Sequence, residues 1–567
     1  MNLIAYWSYI SVVLLISFIP GFAIANRFKN LNTCEKLAIS FGFSFLIPIL
    51  MVPFFPLKLA FLARILLIGV MIVSMWYLVK KRATLKIEID AKFLILVLVI
   101  SIVSNLFFQT LWEYPVMGGD WIRHTLQIPY AFEMGDWSQN KEKTPLFSLL
   151  IYSYHHLLGT SLYQYWVSQI ISVLINSVYI FPAYLIARRV FGVWVAKISA
   201  LFMLVTPFLI FNTIYTWPKN AAMYGILMMI YFLFFSDHDI RLRYPLAGFF
   251  AGLGFLFHNY SLFYIGIAFL LLVYKEKMYK ALLSKDIISN LKKLSFFLLV
   301  LLLFLAPYFA WVYSYYGTVS NSRTIYYPIA VKGYESAFNQ TPEELWETFK
   351  ATPLKEIIMP RISNIIATFT PATLPINPYA INFRTYNPIF YYTQDYPGGL
   401  STLMYLLVVI WFIGYILGKT RTDRILVGFL VLPWITIIIL YAWREWGLLT
   451  GILHPTLPLL IAIGINEMHR LSGKIEYILL YIIFISAIIE DAIFGVLIGK
   501  FYYIEGGLPQ VARTGQQFIP DFQVSDFVST HFLFNGTIDM LTNFLISVGI
   551  IILVYILYRA RENIGQL

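Results

Sequence analysis

Residues Leu294 to Pro307 read LSFFLLVLLLFLAP, an uncharged run that follows directly on Lys292-Lys293. With its flanks the run approaches the roughly 20 residues that an α-helix needs to cross a hydrocarbon core. Phe93 to Phe107 and Ile478 to Ile489 repeat the pattern. Across all 567 residues only 12% are charged and 59% are hydrophobic, and the mean hydropathy is +0.74. A water-soluble domain of that composition would expose large apolar patches, so lipid is the solvent for most of the chain. A membrane β-barrel would alternate polar and apolar residues over segments of about 10 residues. No such alternation is present, and the expected fold is all-α, a polytopic helical membrane protein.

Basic residues sit in short groups at the ends of the apolar segments: Arg27 and Lys29, Lys80 to Arg82, Arg188-Arg189, Arg241 and Arg243, six lysines between Lys275 and Lys293, Lys419 to Arg424, Arg470 and Lys474, and Arg559 and Arg561. This is the pattern of cytosolic turns, and it explains the net charge of +12 without nucleic acid as a partner. Alternating about fifteen membrane segments between these groups sends three long loops to the non-cytosolic side, roughly 113–144, 318–400 and 501–539. The stretch Pro145 to Gly159 is too short for an ordinary crossing and is expected to be re-entrant or interfacial. Four parts follow: N-terminal membrane helices (1–92), a membrane module with the first polar loop (93–317), the long exterior loop (318–400) and a C-terminal membrane module (401–567). The first apolar segment has no basic n-region and is expected to be a retained helix. The single cysteine, Cys34, excludes an internal disulfide framework and a cysteine metal cluster.

The polar residues of the exterior turns carry the chemistry. Asp120 can cap a short amphipathic helix whose Ile122, Leu126 and Ile128 would face the membrane, and a helix starting there brings Asp120 near His124. Asp136 follows as a second cap or a second acid. Lys219 stands in Trp217-Pro218-Lys219-Asn220, His258 ends a glycine-spaced apolar run, and Arg444 precedes His454-Pro455. A carboxylate or imidazole can take a proton, and Lys or Arg can stabilise phosphate charge. Each also has a plainer role: caps for Asp120, Asp136, His258 and His454, a structural hydrogen bond for His124, headgroup contact for Lys219 and Arg444. Asp120, His124 and Asp136 could hold a hard divalent metal, although their spacing is not diagnostic and the cofactor stays open. The acidic pair Glu490-Asp491 lies near the outer end of an apolar segment, where solvation is the simplest account. Asn339-Gln340-Thr341 and Asn535-Gly536-Thr537 have the glycosylation pattern.

The ordered series Gly119-Asp120, Gly135-Asp136, Thr144-Pro145-Leu146-Phe147 with Gly159, Tyr184 to Gly192 ending on Arg188-Arg189, Gly248 to His258, and Arg444 with His454-Pro455-Thr456-Leu457-Pro458 resembles the GT-C superfamily of membrane glycosyltransferases. The likeness covers roughly 93–310 and, more loosely, 426–465. It implies transfer of a sugar from a polyprenyl-phosphate donor to a glycan, lipid or protein acceptor on the non-cytosolic face of the membrane, expected to be the cell membrane, with inversion. Asp120, His124 and Asp136 would be catalytic, and Lys219, His258, Arg444 and His454 would bind substrate. The chain departs from the family where Trp217 to Asn220 offers no second acid after the basic turn, and it lacks a Trp-Trp-Asp motif. The alternative is a non-enzymatic transporter or flippase of lipid-linked glycans, for which internal repeats would be expected.

Overall fold

A computed structural model describes residues 3–51, 60–80, 88–110, 122–134, 144–214, 216–276, 287–317, 323–369, 400–416, 423–440, 453–472, 475–505 and 523. Among the described residues the chain is all α, with short π and 3-10 turns and no strand. Six stretches are long and apolar enough to cross a membrane: Ser8–Ala25, Thr33–Leu50, Leu62–Lys80, Ile89–Leu106, Tyr165–Phe191 and Lys292–Tyr315. Among the described residues, Val193–Met203 and Pro207–Ile214 form an apolar pair bent by 60°, the geometry of a broken span or a re-entrant loop. The protein is an integral membrane protein.

Tyr165–Phe191 is the central element, enclosed by protein from Tyr165 to Ala187, whereas Lys292–Tyr315 lies at the periphery and turns Leu299, Leu302 and Leu303 outward. Because lipid tails are as apolar as leucine, helices in a bilayer associate through close packing more than through hydrophobic transfer. The helix Ile240–Phe257 shows this on both sides. A Cβ on Gly225 would sit 2.6 Å from the Cα of Gly254, so the helix Lys219–Ile230 approaches it backbone to backbone. A Cβ on Gly252 would sit 2.6 Å from the ring of Phe304 on the outer neighbour. One apolar core runs from Tyr6 to Ala487 and takes residues from segments 1–92, 93–317 and 401–567 alike.

The basic groups that charge parity assigns to one side meet at one end of this core. Asp90 pairs with Arg188 at 3.4 Å and Lys197 at 3.2 Å, Glu276 pairs with Arg243 at 3.7 Å and with Lys293, and Glu467 pairs with Arg470 at 2.9 Å. A cavity of about 660 Å³ opens here, lined by Arg189, Asp237, Arg243, Lys275, Asp423 and Arg470 among others. Glu35 joins the same end, accepting hydrogen bonds from the Tyr231 hydroxyl and from His238, each at 2.7 Å.

Two expectations are corrected. Ile122, Leu126 and Ile128 do not face lipid; they are 0%, 1% and 0% exposed, because the short helix Ile128–Glu133 and the π turn before it pack on the helix Leu146–Leu158. That second helix has 13 residues, a length of about 20 Å at 1.5 Å per residue, and ends on Gly159 at φ +68°, where Arg64 donates to the carbonyl of His156 at 3.2 Å. The acidic pair is not solvated either. Glu490 accepts from the Thr402 amide at 2.9 Å and from its hydroxyl at 3.2 Å, holding the start of the helix Tyr405–Ile416, and Asp491 is 3% exposed. In the segment expected to form the long exterior loop, Tyr327, Ala330, Ala337 and Leu345 build a small second core with Leu453. Thr341 caps the helix Pro342–Ala351 there, in a capping box with Glu344, so the hydroxyl of the first glycosylation pattern has a structural task.

The glycine contact is testable. Gly225→Val places a branched side chain against the backbone of Gly254, and overpacking of this kind costs about 1–3 kcal/mol. The variant should unfold in detergent at a lower temperature than the parent, while Gly266→Val, at a glycine with nothing within 4 Å, should not. Equal midpoints for the two variants would rule out the close approach.

Candidate functional site

At the end of the core opposite the ion pairs, the chain leaves the helix Pro207–Ile214, makes a tight turn, and enters the helix Lys219–Ile230. The turn is strained. Thr216 has φ +50°, the sole non-glycine residue with positive φ among the described residues, and for a β-branched side chain that conformation persists only when its surroundings dictate it. Those surroundings are polar side chains from buried helices. The Thr216 hydroxyl bonds the hydroxyl of Tyr165 at 2.7 Å. Asn176, midway along the central stretch Tyr165–Phe191, donates to the Trp217 carbonyl at 2.8 Å and accepts from the Ala221 amide at 3.0 Å, so one amide group clamps both sides of Pro218. Asn220 donates to the Leu209 carbonyl at 3.0 Å and to the Thr213 hydroxyl at 2.8 Å, which ties the new helix back to the old.

The clamp holds a cation inside the protein. Lys219 is 3% exposed, and its Nζ lies 3.4 Å from the centre of the Trp217 ring. It occupies the first turn of its helix, the end at which a helix dipole repels positive charge and attracts an anion. The Tyr260 hydroxyl donates to the Lys219 carbonyl at 2.8 Å, and His258, just before it, accepts the Tyr260 amide on Nδ1 at 3.2 Å. His258 thus ends its helix and orients Tyr260, the capping role foreseen as its plainer one.

His454 comes to the same place from far along the chain. It lies in the short turn His454–Thr456 ahead of the helix Leu457–Ser472, with its ring edge-on to Phe208 at 5.0 Å. It is fully buried, and both ring nitrogens lack a hydrogen-bond partner. Burial first, and the charge of Lys219 second, hold its pKa well below the ordinary imidazole value and keep it neutral. The side-chain oxygens of Asn212 and Asn220 are also buried without partners. Buried polar atoms are nearly always paired, so the two free nitrogens of His454 near a buried lysine make this end a candidate for a ligand.

His124 has different neighbours. It is 1% exposed, its Nδ1 lies 3.3 Å from the Ser148 hydroxyl, and its ring meets Phe147 edge-on at 5.9 Å. Asp120, Asp136 and Arg444 lie outside the described residues. Among the described residues no cluster of His, Cys, Asp or Glu could hold a metal ion, and two of the three proposed ligands are not among them. Lys219, His258 and His454 are therefore brought together, while Tyr165, Asn176, Thr216, Asn220 and Tyr260 join the site without having been singled out. Asn176 carried the clearest signal, a carboxamide in the middle of an apolar span.

Residues 142–311 match the family described as dolichyl-phosphate-mannose-protein mannosyltransferase, which is a glycosyltransferase family of the GT-C superfamily. The likeness to that superfamily is shown over these residues. They include the turn at Thr216, Lys219 and His258, and they exclude His124 and His454. No curated protein and no solved structure matches the chain significantly.

If Asn176 organises the turn, Asn176→Ala strands a buried carbonyl and a buried amide, at about 1–3 kcal/mol for each unsatisfied group. Its unfolding midpoint in detergent should fall clearly below that of Ser199→Ala, which removes a hydroxyl bonded only to its own helix at Val195. An Asn176→Ala midpoint equal to that of Ser199→Ala would remove the clamp from the account.

Proposed function

We propose that this protein is a membrane glycosyltransferase that takes a sugar from a polyprenyl-phosphate donor, on the side of the bilayer opposite the basic end, and transfers it with inversion to a glycan, lipid or protein. The observation that carries the reading is the buried Lys219 at a helix start, stacked on Trp217 and facing a neutral His454 with two unpartnered nitrogens. The family match over residues 142–311 supports the donor class.

The chemistry asks for two things. The acceptor hydroxyl loses its proton to a base as its oxygen attacks the anomeric carbon, and the bond from that carbon to the phosphate oxygen breaks, leaving its electron pair on polyprenyl phosphate. The charge that grows on the leaving phosphate needs fixed cations and donors. Asp120 is assigned the base, with His124 and Asp136 as the other candidates from the same loop. Lys219 and Arg444 are assigned the phosphate, and His454 donates one N–H to the same group. A neutral imidazole has one donor and one acceptor nitrogen, so it can bond phosphate and a sugar hydroxyl at once. His258 acts through Tyr260 and the Lys219 carbonyl, as a positioning residue.

Purified protein in lipid nanodiscs, supplied with a polyprenyl-phosphate sugar and assayed for free polyprenyl phosphate, tests the reading. Lys219→Ala should lose donor binding about tenfold to a hundredfold, the size of one charge-assisted hydrogen bond of roughly 1.5–3 kcal/mol. Asp120→Asn should keep donor binding and lose about a hundredfold to ten-thousandfold in transfer rate, the usual worth of a general base. Donor movement between leaflets with no turnover in the parent protein would replace this reading with the transporter one.

The sidedness has its own test. In intact cells, a cysteine at the exposed position Arg241 should be shielded from a membrane-impermeant maleimide, and one at the exposed position Glu343 should react. Reaction at Arg241 from outside would put the site on the cytosolic face.

A further inference from the structure

The helix Leu354–Phe369, in the exterior segment, has its polarity reversed. Leu354, Ile358, Met359, Ile362 and Ile366 are 70%, 42%, 44%, 39% and 38% exposed, and at spacings of four and five residues they share one face. Of the exposed residues on that arc only Lys355 is charged. The side turned toward the protein holds Ser363 and Asn364, 5% and 1% exposed. Arg361, half-buried between the two faces, donates to the Pro328 carbonyl at 2.9 Å and fastens the helix to the small second core. A helix of a loop bathed in water would bury its isoleucines and expose its serine and asparagine.

What covers the apolar face follows from where the helix sits. It packs on the helix Arg424–Leu440, an apolar stretch of the membrane region whose Ile435 is 44% exposed. The exposed apolar face of the exterior helix therefore adjoins a helix that is itself uncharged and apolar after its first residue. Lys355 on the arc and Lys350 just before the helix are exposed, as long basic side chains are when they reach from an interfacial helix to headgroups. Trp346 and Phe349, stacked at 5.7 Å on the preceding helix, add aromatic rings of the kind enriched at membrane surfaces.

We propose that the helix Leu354–Phe369 lies along the membrane surface with Leu354, Ile358, Met359, Ile362 and Ile366 in the boundary between headgroups and acyl chains. The bilayer is then a structural partner of the exterior segment, and that segment is pinned to lipid at one side and to Leu453, the neighbour of His454, at the other. This goes beyond the transferase reading and does not depend on it.

Single cysteines at Ile358 and Ile362, in a Cys34→Ala background, can be labelled with nitrobenzoxadiazole in the full-length protein and reconstituted into phosphatidylcholine vesicles. Acyl-brominated phosphatidylcholine should quench both labels several-fold more than aqueous iodide does. A label at Glu343, on the exposed start of the neighbouring helix, should show the reverse order. Iodide quenching at Ile358 and Ile362 equal to that at Glu343 would place the face in water. Insensitivity to both quenchers would mean that protein covers it, and either result overturns the proposal.

Discussion

Inside a bilayer a backbone carbonyl or amide that leaves its helical partner must find another within the protein, since no water is there to take its place. This constraint shapes the turn between Ile214 and Lys219. Breaking the helix exposes the Trp217 carbonyl and the Ala221 amide, and one side chain, Asn176, satisfies both. Had the clamp been absent, a strained Thr216 and a buried Lys219 would have had to be held by apolar packing alone. The central helix that carries Asn176 is enclosed on every side, so the clamp cannot move without the core moving with it.

The two ends of the molecule solve the problem of charge in opposite ways. At the basic end acids and bases neutralise each other: Asp90, Glu276 and Glu467 each have a cation within ion-pair distance. Burial raises the pKa of the Glu276 carboxyl, but the hydrogen bond and charge of Lys293 and the charge of Arg243 outweigh it, and the net shift is downward. The cavity of that end is accordingly a mixed-charge surface set among acids that are paired with bases. At the far end His454 and the oxygens of Asn212 and Asn220 are buried with bonding capacity unused. A protein that spends desolvation on groups it does not pair has a ligand to pair them with. The difference between the ends is one of charge pairing, and it is the reason the proposed site is placed at the far end.

Much of this was legible in the sequence. Uncharged runs such as Leu294 to Pro307 need only composition to be recognised as membrane helices, and the basic groups between them announced which turns would meet. Lys219, His258 and His454 were singled out because polar residues at the ends of apolar runs are few, and the structure brings them to one place. The misreadings have a common cause. Ile122, Leu126 and Ile128 form an apolar face, but periodicity does not say whether lipid or protein covers it, and here a second short helix does. Glu490 looked solvated from its place in the chain, while its partner, Thr402, lies 88 residues away in sequence. Asn176 was passed over although a carboxamide within an apolar span is a signal, because nothing local says what that carboxamide clamps. Its meaning appears only when Trp217 and Ala221 are brought beside it.

The same ambiguity, met in the opposite sense, bears on how the exterior segment works. An apolar stripe on an exterior helix would ordinarily be read as a core face, yet the stripe at Leu354 to Ile366 is the exposed one, and the polar residues Ser363 and Asn364 are inside. The family match stops at residue 311, short of this segment and of His454. Lys219, to which the proposed function assigns the donor phosphate, therefore falls in the part of the chain that matches the family. His454 comes from the remainder, and the residue before it, Leu453, belongs to the small core of Tyr327, Ala330, Ala337 and Leu345. A donor shared across a superfamily calls for a shared cradle, and an acceptor that differs between its members calls for a cover that can differ. On this reading the choice of acceptor resides in the segment after residue 311, and its attachment to the membrane surface determines the distance at which an acceptor must present its hydroxyl.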